Sequence, residues 1–289
     1  MMRFEKYFQP KSVKECLALL KEYGADAKVL AGGTDLVPRL KNGQLHPVAV
    51  IGLMDIPGID AIDMTDEGLT LGTLANLRKI SLDQRLEKDY KVIMEACGHV
   101  SSMQVRNIAT IGGNACNASP SADAIHGLLL YDAVATIASE DSMREVPLHE
   151  FFKGPGKTVL GTGDLLLSFF VPAPKAHTGA SYQKYAIRGD SDISIVGAGA
   201  RLTLDNDGAV AEARISLASV APTPLRMFEA ENMLVGSKLD AEGIEKAAEI
   251  CSNQVSPITD QRATREYRIE MVRVWVRHAL EQALERAKI

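Results

Sequence analysis

Aromatic residues make up only 5% of this 289-residue chain, and no lysine- or arginine-rich run offsets its net charge of −5. With neither a basic stripe nor a stacking platform, nucleic-acid binding is set aside. No apolar run approaches the roughly 20 residues that a membrane span needs. The opening Met1-Met2-Arg3-Phe4-Glu5-Lys6 carries no apolar stretch of the signal-peptide kind. Cysteine is scarce. Cys16, Cys97, Cys116 and Cys251 stand alone, without a C-x-x-C. That spacing excludes a zinc or iron–sulfur cluster held within the chain and fits a reducing, cytoplasmic setting. The six histidines (His46, His99, His126, His149, His177, His278) show no H-x-x-x-H pairing, so no metal site is expected. There is no G-x-x-x-x-G-K-[ST] for P-loop chemistry and no G-x-S-x-G for a hydrolase elbow.

The remaining composition, 46% hydrophobic and 24% charged, is that of a globular protein. The length is too great for one typical core and sufficient for two or three. Ser12 to Lys21 reads as a helix, with Ser12 and Glu15 spaced as a capping box and Gly24 as its stop. Lys28 to Ala31 and Pro47 to Ile51 read as strands, giving a β/α opening. Short strands between Gly58 and Leu71 precede two helices within Leu74 to Gly98, broken near Arg85-Leu86. A short helix is expected over Asp123 to Leu130, and strands over Ala133 to Ala138 and Leu165 to Pro172. Two prolines in Pro172-Ala173-Pro174-Lys175 mark the best domain boundary. Beyond it, Ser181 to Ile187, Ile195 to Leu204 and Ala213 to Val220 form an antiparallel sheet with an Asn206-Asp207-Gly208 turn, and two helices finish the chain. In the last helix Val272, Trp275/Val276, Ala279, Ala283 and Ala287 make an apolar stripe that reads as core.

Two glycine pairs about eighty residues apart carry the functional signal: Ala31-Gly32-Gly33-Thr34-Asp35-Leu36 and Thr110-Ile111-Gly112-Gly113-Asn114. Lacking a Cβ, glycine lets the backbone turn and present consecutive N–H groups to an anion. Taken singly, each pair reads more readily as a tight turn without ligand. Thr34, Thr110, Asn114, Asn117, Ser119 and Asp123 surround them with polar side chains unaccompanied by solvating Lys or Glu, which suits a ligand wall and a long diphosphate. A side chain at Gly32 or Gly112 is expected to collide with that diphosphate. Gly197-Ala198-Gly199-Ala200 imitates a dinucleotide fingerprint. Its third glycine is replaced by Leu202 and the segment continues as a strand, so small residues in a sheet is the better reading.

The two glycine segments, together with Gln104-Val105-Arg106-Asn107-Ile108-Ala109, Ser119-Pro120-Ser121-Ala122-Asp123, Gly154-Pro155-Gly156-Lys157, Lys184 to Arg188, Asp192-Ile193-Ser194 and Ala221 to Arg226, resemble the FAD-binding (medium) subunit of the molybdenum hydroxylases. They are most similar to that of the bacterial three-subunit xanthine dehydrogenases. The resemblance implies an α+β protein with a two-subdomain FAD-binding fold of the vanillyl-alcohol-oxidase (PCMH) type, residues 1–56 and 57–174. A C-terminal α+β domain of the CO dehydrogenase flavoprotein type, residues 175–289, follows. It implies that backbone N–H groups of Ala31, Gly32, Gly33, Thr34, Asp35 and Leu36, and of Ala109, Thr110, Ile111, Gly112, Gly113 and Asn114, hold the FAD pyrophosphate. Asp123 would bond the polar chain of FAD, Leu167 would contact the flavin through its backbone, and Ser194 or Ile195 would approach the isoalloxazine ring. Val100 stands where some relatives stack an aromatic on adenine, and a lysine found near the ring in some relatives is not expected here. No side chain is expected to be catalytic. The implied partners are a molybdenum-cofactor large subunit and a [2Fe–2S] small subunit in a dimer of heterotrimers, with NAD or another molecule as electron acceptor. A stand-alone flavin oxidoreductase of the same fold, or the FAD subunit of a CO- or aldehyde-oxidising relative, remain alternatives.

Overall fold

The computed structural model describes residues 4–189 and 191–288; Met1 to Arg3, part of the N-terminal stretch considered above, lie outside them. The chain builds three successive groups of elements, each around its own apolar cluster. In the first, β1 (Lys6–Phe8), α1 (Val13–Tyr23), β2 (Ala27–Leu30), α2 (Leu36–Lys41) and β3 (Ala49–Gly52) form a parallel sheet of order β1-β3-β2. Ser12 caps α1 by accepting from the Glu15 N–H at 3.1 Å. The Glu15 carboxylate accepts from the Lys11 N–H, so the reciprocal arm of the capping box falls one residue early. Gly24 closes the helix at φ +51°, a conformation that favours glycine.

The second group opens with β4 (Ile62–Met64) and β5 (Gly68–Gly72). A helical stretch follows: α3 (Leu77–Leu82), α4 (Lys91–Gly98), α5 (Met103–Arg106), α6 (Ile111–Asn117) and α7 (Asp123–Leu129). Then come β6 (Val134–Ala138), β7 (Met143–Pro147), α8 (Leu148–Phe151), the hairpin of β8 (Phe152–Gly154) with β9 (Lys157–Thr158), and β10 (Leu165–Pro172). The antiparallel sheet has order β4-β5-β10-β6-β7, with a bulge in β10 at Leu167. The third group has order β11-β12-β13-β14, from β11 (Thr178–Tyr185), β12 (Val196–Leu204), β13 (Val210–Ala218) and β14 (Leu225–Arg226). The helices α9 (Phe228–Leu234), α10 (Ala241–Asn253) and α11 (Arg265–Ala287) cover it. The β12–β13 turn is fixed by the Asp205 side chain, which accepts from the N–H groups of Asp207 and Ala209, and by Gly208 at φ +76°.

The α11 stripe is buried as expected at Val272, Val276, Ala279, Ala283 and Ala287. Trp275 departs from it. The indole is only partly buried and stacks on Tyr185 at the rim, with centroids 5.3 Å apart. β11 also leans out of its own group: Ala180 and Tyr182 pack into the core of the second. That bond between groups places the site.

Candidate functional site

A cleft of about 790 Å³ runs along the junction of the three groups, within the size range of ligand sites. The first glycine segment forms one wall. β2 ends at Leu30, Gly33 turns at φ +74°, and α2 begins at Leu36. Among the described residues, no protein acceptor is found for the N–H groups of Ala31, Gly32, Gly33, Thr34, Asp35 or Leu36, and all six residues line the cleft. Such a run of unpaired donors is an anion cradle. Asp35 opens onto the same space, and the surrounding walls hold its carboxyl above the ordinary value against the opposing pull of Arg39.

The second glycine segment is built differently from the expected loop. It is the first turn of α6, capped by the Thr110 hydroxyl, which accepts from the Gly113 N–H at 3.1 Å. The Ile111 N–H donates to the Ala75 carbonyl, that of Gly112 to the Thr73 carbonyl at 2.9 Å, and that of Asn114 to the Thr110 carbonyl. The N–H groups of residues 111–114 thus have protein acceptors, unlike those of residues 31–36. Ala109, Thr110, Gly112, Gly113 and Asn114 still line the cleft; Ile111 is fully buried in the core. The Asn114 side chain offers the cleft a group of the opposite kind, an acceptor: the buried oxygen of its amide has no partner among the described residues.

The glycines also answer a different demand. A Cβ on Gly32 would sit 1.8 Å from the Ile108 carbonyl oxygen, and one on Gly112 would sit 1.9 Å from the Thr73 hydroxyl and 2.6 Å from its carbonyl oxygen. These glycines let protein backbones meet, so a side chain there strikes the protein before it strikes any ligand.

Asp123, the first residue of α7, anchors the far wall and is 4% exposed. Its carboxylate accepts from the Tyr182 hydroxyl at 2.8 Å, the Ser194 hydroxyl at 2.7 Å and the Lys184 ammonium at 2.9 Å. Lys184 also donates to the His99 carbonyl at 2.8 Å. Burial, and then the Asp123 charge, push the Tyr182 phenol well above its usual value. Asp123 thus reaches the cleft with three of its acceptor positions filled by protein, and its first role is to tie β11 and residue 194 to α7. Ser194 and Ile195 stand behind the wall. Ile195 donates its N–H to the Tyr185 carbonyl, and the wall itself is Ser191, Asp192 and Ile193. Leu167 is likewise off the wall. The bulge turns it toward the first group's core, its carbonyl accepts from the Thr73 N–H, and Leu165 and Leu166 line the cleft instead.

Lys184, absent from the site residues read from the sequence, stands in this wall. Strand periodicity could have found it, since Tyr182 and Lys184 share one face of β11. It also joins two segments that the resemblance assigns to opposite ends of the cofactor: the neighbour of Val100 and the approach to Ser194 meet on this one ammonium and its carboxylate. Cys116 faces the cleft too. It is accessible, yet the walls desolvate the thiol and push it up to about 12, so it stays protonated at neutral pH. Among the described residues no group of three or more His, Cys, Asp or Glu could hold a metal, and no helix is long and apolar enough to cross a membrane.

One turn along α7, His126 is fully buried, stacked on Tyr182 at 5.6 Å and 11°, and neither ring nitrogen has a partner among the described residues. Burial lowers it from 6.5 to about 3. The folded state therefore holds this ring neutral while the unfolded chain takes up a proton below pH 6.5, so the contribution to stability is full above 6.5 and shrinks as pH falls toward 3. Between pH 7 and pH 5 the stability advantage of the native chain over a His126→Leu variant is expected to fall by about 2 kcal/mol. Urea unfolding at the two pH values measures it; an unchanged difference would show that the ring finds a proton acceptor.

The chain matches two protein families in succession: residues 2–174 match the FAD binding domain in molybdopterin dehydrogenase, and residues 180–283 the CO dehydrogenase flavoprotein C-terminal domain. It is 31% identical to a xanthine dehydrogenase FAD-binding subunit of Escherichia coli O157:H7, covering 99% of this chain and 98% of that one. It is 32% identical to the carbon monoxide dehydrogenase medium chain of Afipia carboxidovorans, over 98% and 97%. In structure it resembles a chain of a cyanide-inactivated Cu,Mo-CO dehydrogenase, with TM-score 0.94 and 30% identity over 99% of this chain and 100% of that one. It also resembles a chain of quinoline 2-oxidoreductase from Pseudomonas putida 86, with TM-score 0.91 and 26% identity over 99% and 98%.

Proposed function

Because the chain belongs to the FAD-binding subunits of the molybdenum hydroxylases, we propose that the cleft seats FAD with its diphosphate on the first glycine segment, and that NAD or another acceptor takes the electrons away. The observation that carries this placement is the run of N–H groups at residues 31–36 without protein acceptors, opening on the same cleft as the unpaired Asn114 amide oxygen. Bound there, FAD supplies the redox chemistry, accepting and releasing electrons. The chain supplies the setting. Residues 31–36 donate to the diphosphate, Asn114 accepts from a hydroxyl or N–H of the cofactor, and Leu165, Leu166 and Ile193 exclude water. The buried Lys184–Asp123 pair ties β11 to α7 at one end of the cleft and leaves no net charge there. We propose three domains, 1–56, 57–174 and 175–289, and a cytoplasmic dimer of heterotrimers with a molybdenum-cofactor subunit and a [2Fe–2S] subunit as electron source.

The purified chain is expected to carry or take up FAD, visible as the yellow flavin absorbance. Asn114→Leu is expected to weaken FAD binding by about tenfold, the cost of one lost hydrogen bond, with the fold kept. A wild-type protein that stays colourless with added FAD would refute the reading, and undiminished affinity in the variant would move the polar chain of FAD away from α6.

A further inference from the structure

Gly197 and Gly199 stand two residues apart inside β12, the second strand of its four-stranded sheet. Glycine weakens a strand interior, so a pair of them there marks a close approach. The register sets Gly199 opposite Tyr182 and Gly197 opposite Lys184 on β11. With no side chain on β12 at these two places, the Tyr182 ring leans diagonally across the strand, a reach that aromatic side chains have. A Cβ on Gly197 would stand 2.3 Å from the Tyr182 hydroxyl oxygen, 3.0 Å from its Cζ and 2.9 Å from the Ala218 Cβ. One on Gly199 would stand 3.3 Å from the Tyr182 Cδ2. His126 of α7 stacks on the same ring. Gly197-Ala198-Gly199-Ala200 is thus the seat of a phenol.

The seat aims the hydroxyl at Asp123. A carboxylate offers about four acceptor positions. Oδ1 of Asp123 takes the Tyr182 and Ser194 hydroxyls, and Oδ2 takes the Lys184 ammonium. Among the described residues nothing fills the second position of Oδ2, and Asp123 lines the cleft while Tyr182 does not. The phenol is 2% exposed, and burial followed by the Asp123 charge raises it well above its usual value. It therefore keeps its proton and donates to Oδ1 throughout the neutral range.

We infer that Tyr182 is a positioning residue for the cofactor: seated over Gly197 and Gly199, it holds the Asp123 carboxylate so that the open position of Oδ2 accepts from a hydroxyl of FAD. The inference rests on the function proposed above and adds a residue that stands behind the cleft wall. Two donors on Oδ1 keep the carboxylate from turning about its Cβ–Cγ bond, so the cofactor meets an acceptor already oriented. Preorganisation of this kind is read as affinity.

The test measures the FAD dissociation constant of the full-length chain at a temperature where every variant is folded, with thermal unfolding alongside. Tyr182→Phe keeps the ring in its seat and removes the donor, and FAD binding about tenfold weaker is expected. Gly197→Ala displaces the hydroxyl from the opposite side and should weaken FAD binding to a similar degree. In the Tyr182→Phe background that hydroxyl is already gone, so adding Gly197→Ala should weaken FAD binding no further; its strain against Ala218 shows in the melting temperature alone. Gly179→Ala is the structural control. Its Cβ would meet the Ala283 carbonyl oxygen and the Ala287 backbone nitrogen, both at 2.2 Å, so it strains β11 against α11 without touching Tyr182. It should lower the melting temperature and leave FAD affinity at the wild-type value. Undiminished affinity in Tyr182→Phe, while the wild type binds FAD, would overturn the inference and leave the FAD reading standing. Additive losses in the double variant, or an equal loss of affinity in Gly179→Ala, would overturn it in the same way. A wild-type chain that takes up no FAD would sink the proposed function and the inference with it.

Discussion

Asp123→Ala is expected to lower the unfolding free energy by about 3–5 kcal/mol, the cost of removing one member of a buried ion pair. The Asp123 and Lys184 side chains are only 6% and 2% exposed, so solvent screens their interaction little. Truncation takes the carboxylate from beside a buried ammonium and leaves the Tyr182 and Ser194 hydroxyls without their acceptor. Each unmet buried group adds to the loss. Two further variants separate charge from hydrogen bonding. Asp123→Asn keeps an acceptor for the two hydroxyls and should fall between wild type and alanine. Asp123→Leu combined with Lys184→Met removes both charges and should recover much of what alanine loses, because well-packed apolar replacements of buried pairs are often neutral. Denaturant unfolding with FAD content measured alongside decides the matter. An alanine variant as stable as wild type would mean that the cluster does not hold α7, β11 and residue 194 together.

Gly32→Ala is expected to be as damaging although it adds one methyl group. The new Cβ would lie 1.8 Å from the Ile108 carbonyl oxygen and 2.7 Å from the carbonyl carbon. Neither atom belongs to a flexible side chain, so the backbones must part. Overpacking of this kind costs about 1–3 kcal/mol, and more where backbone is the obstacle. A loss of about 3 kcal/mol is expected, with FAD retention falling because the cradle is displaced rather than filled. Gly163→Ala is the control. Nothing lies within 4 Å of its Cβ, and its effect should stay within about 0.5 kcal/mol. Thermal unfolding of the pair would show it. Equal melting temperatures would mean that the two segments give way freely.

The sequence made the local features legible and left the joints hidden. Ser12 and Gly24 bounded α1, prolines 172 and 174 marked the gap between β10 and β11, and Asn206-Asp207-Gly208 gave the hairpin, because each depends on a few adjacent residues. The α6 helix escaped notice because Gly-Gly is a weak helix former; contact with Thr73 and the Thr110 cap hold it instead. Lys184 was visible as a letter but not as a site residue, since its carboxylate lies 61 residues away in sequence. Residues 31–36, 109, 110, 112–114 and 123, singled out in the sequence, all line the cleft. Which backbone donors were already spoken for could not be read from glycine pattern alone, because Gly112 spends its N–H on Thr73, a residue without any motif of its own.

The meeting of Gly32 with Ile108 also sets a timetable for the chain as it is made. The cradle takes its form against a carbonyl that leaves the ribosome long after the cradle itself, and the opposite wall waits longer still for Tyr182, Lys184 and Ser194. The walls that face the cradle can close only once residues 108, 182, 184 and 194 have all been made, so the cleft is assembled from segments spread over most of the chain's length.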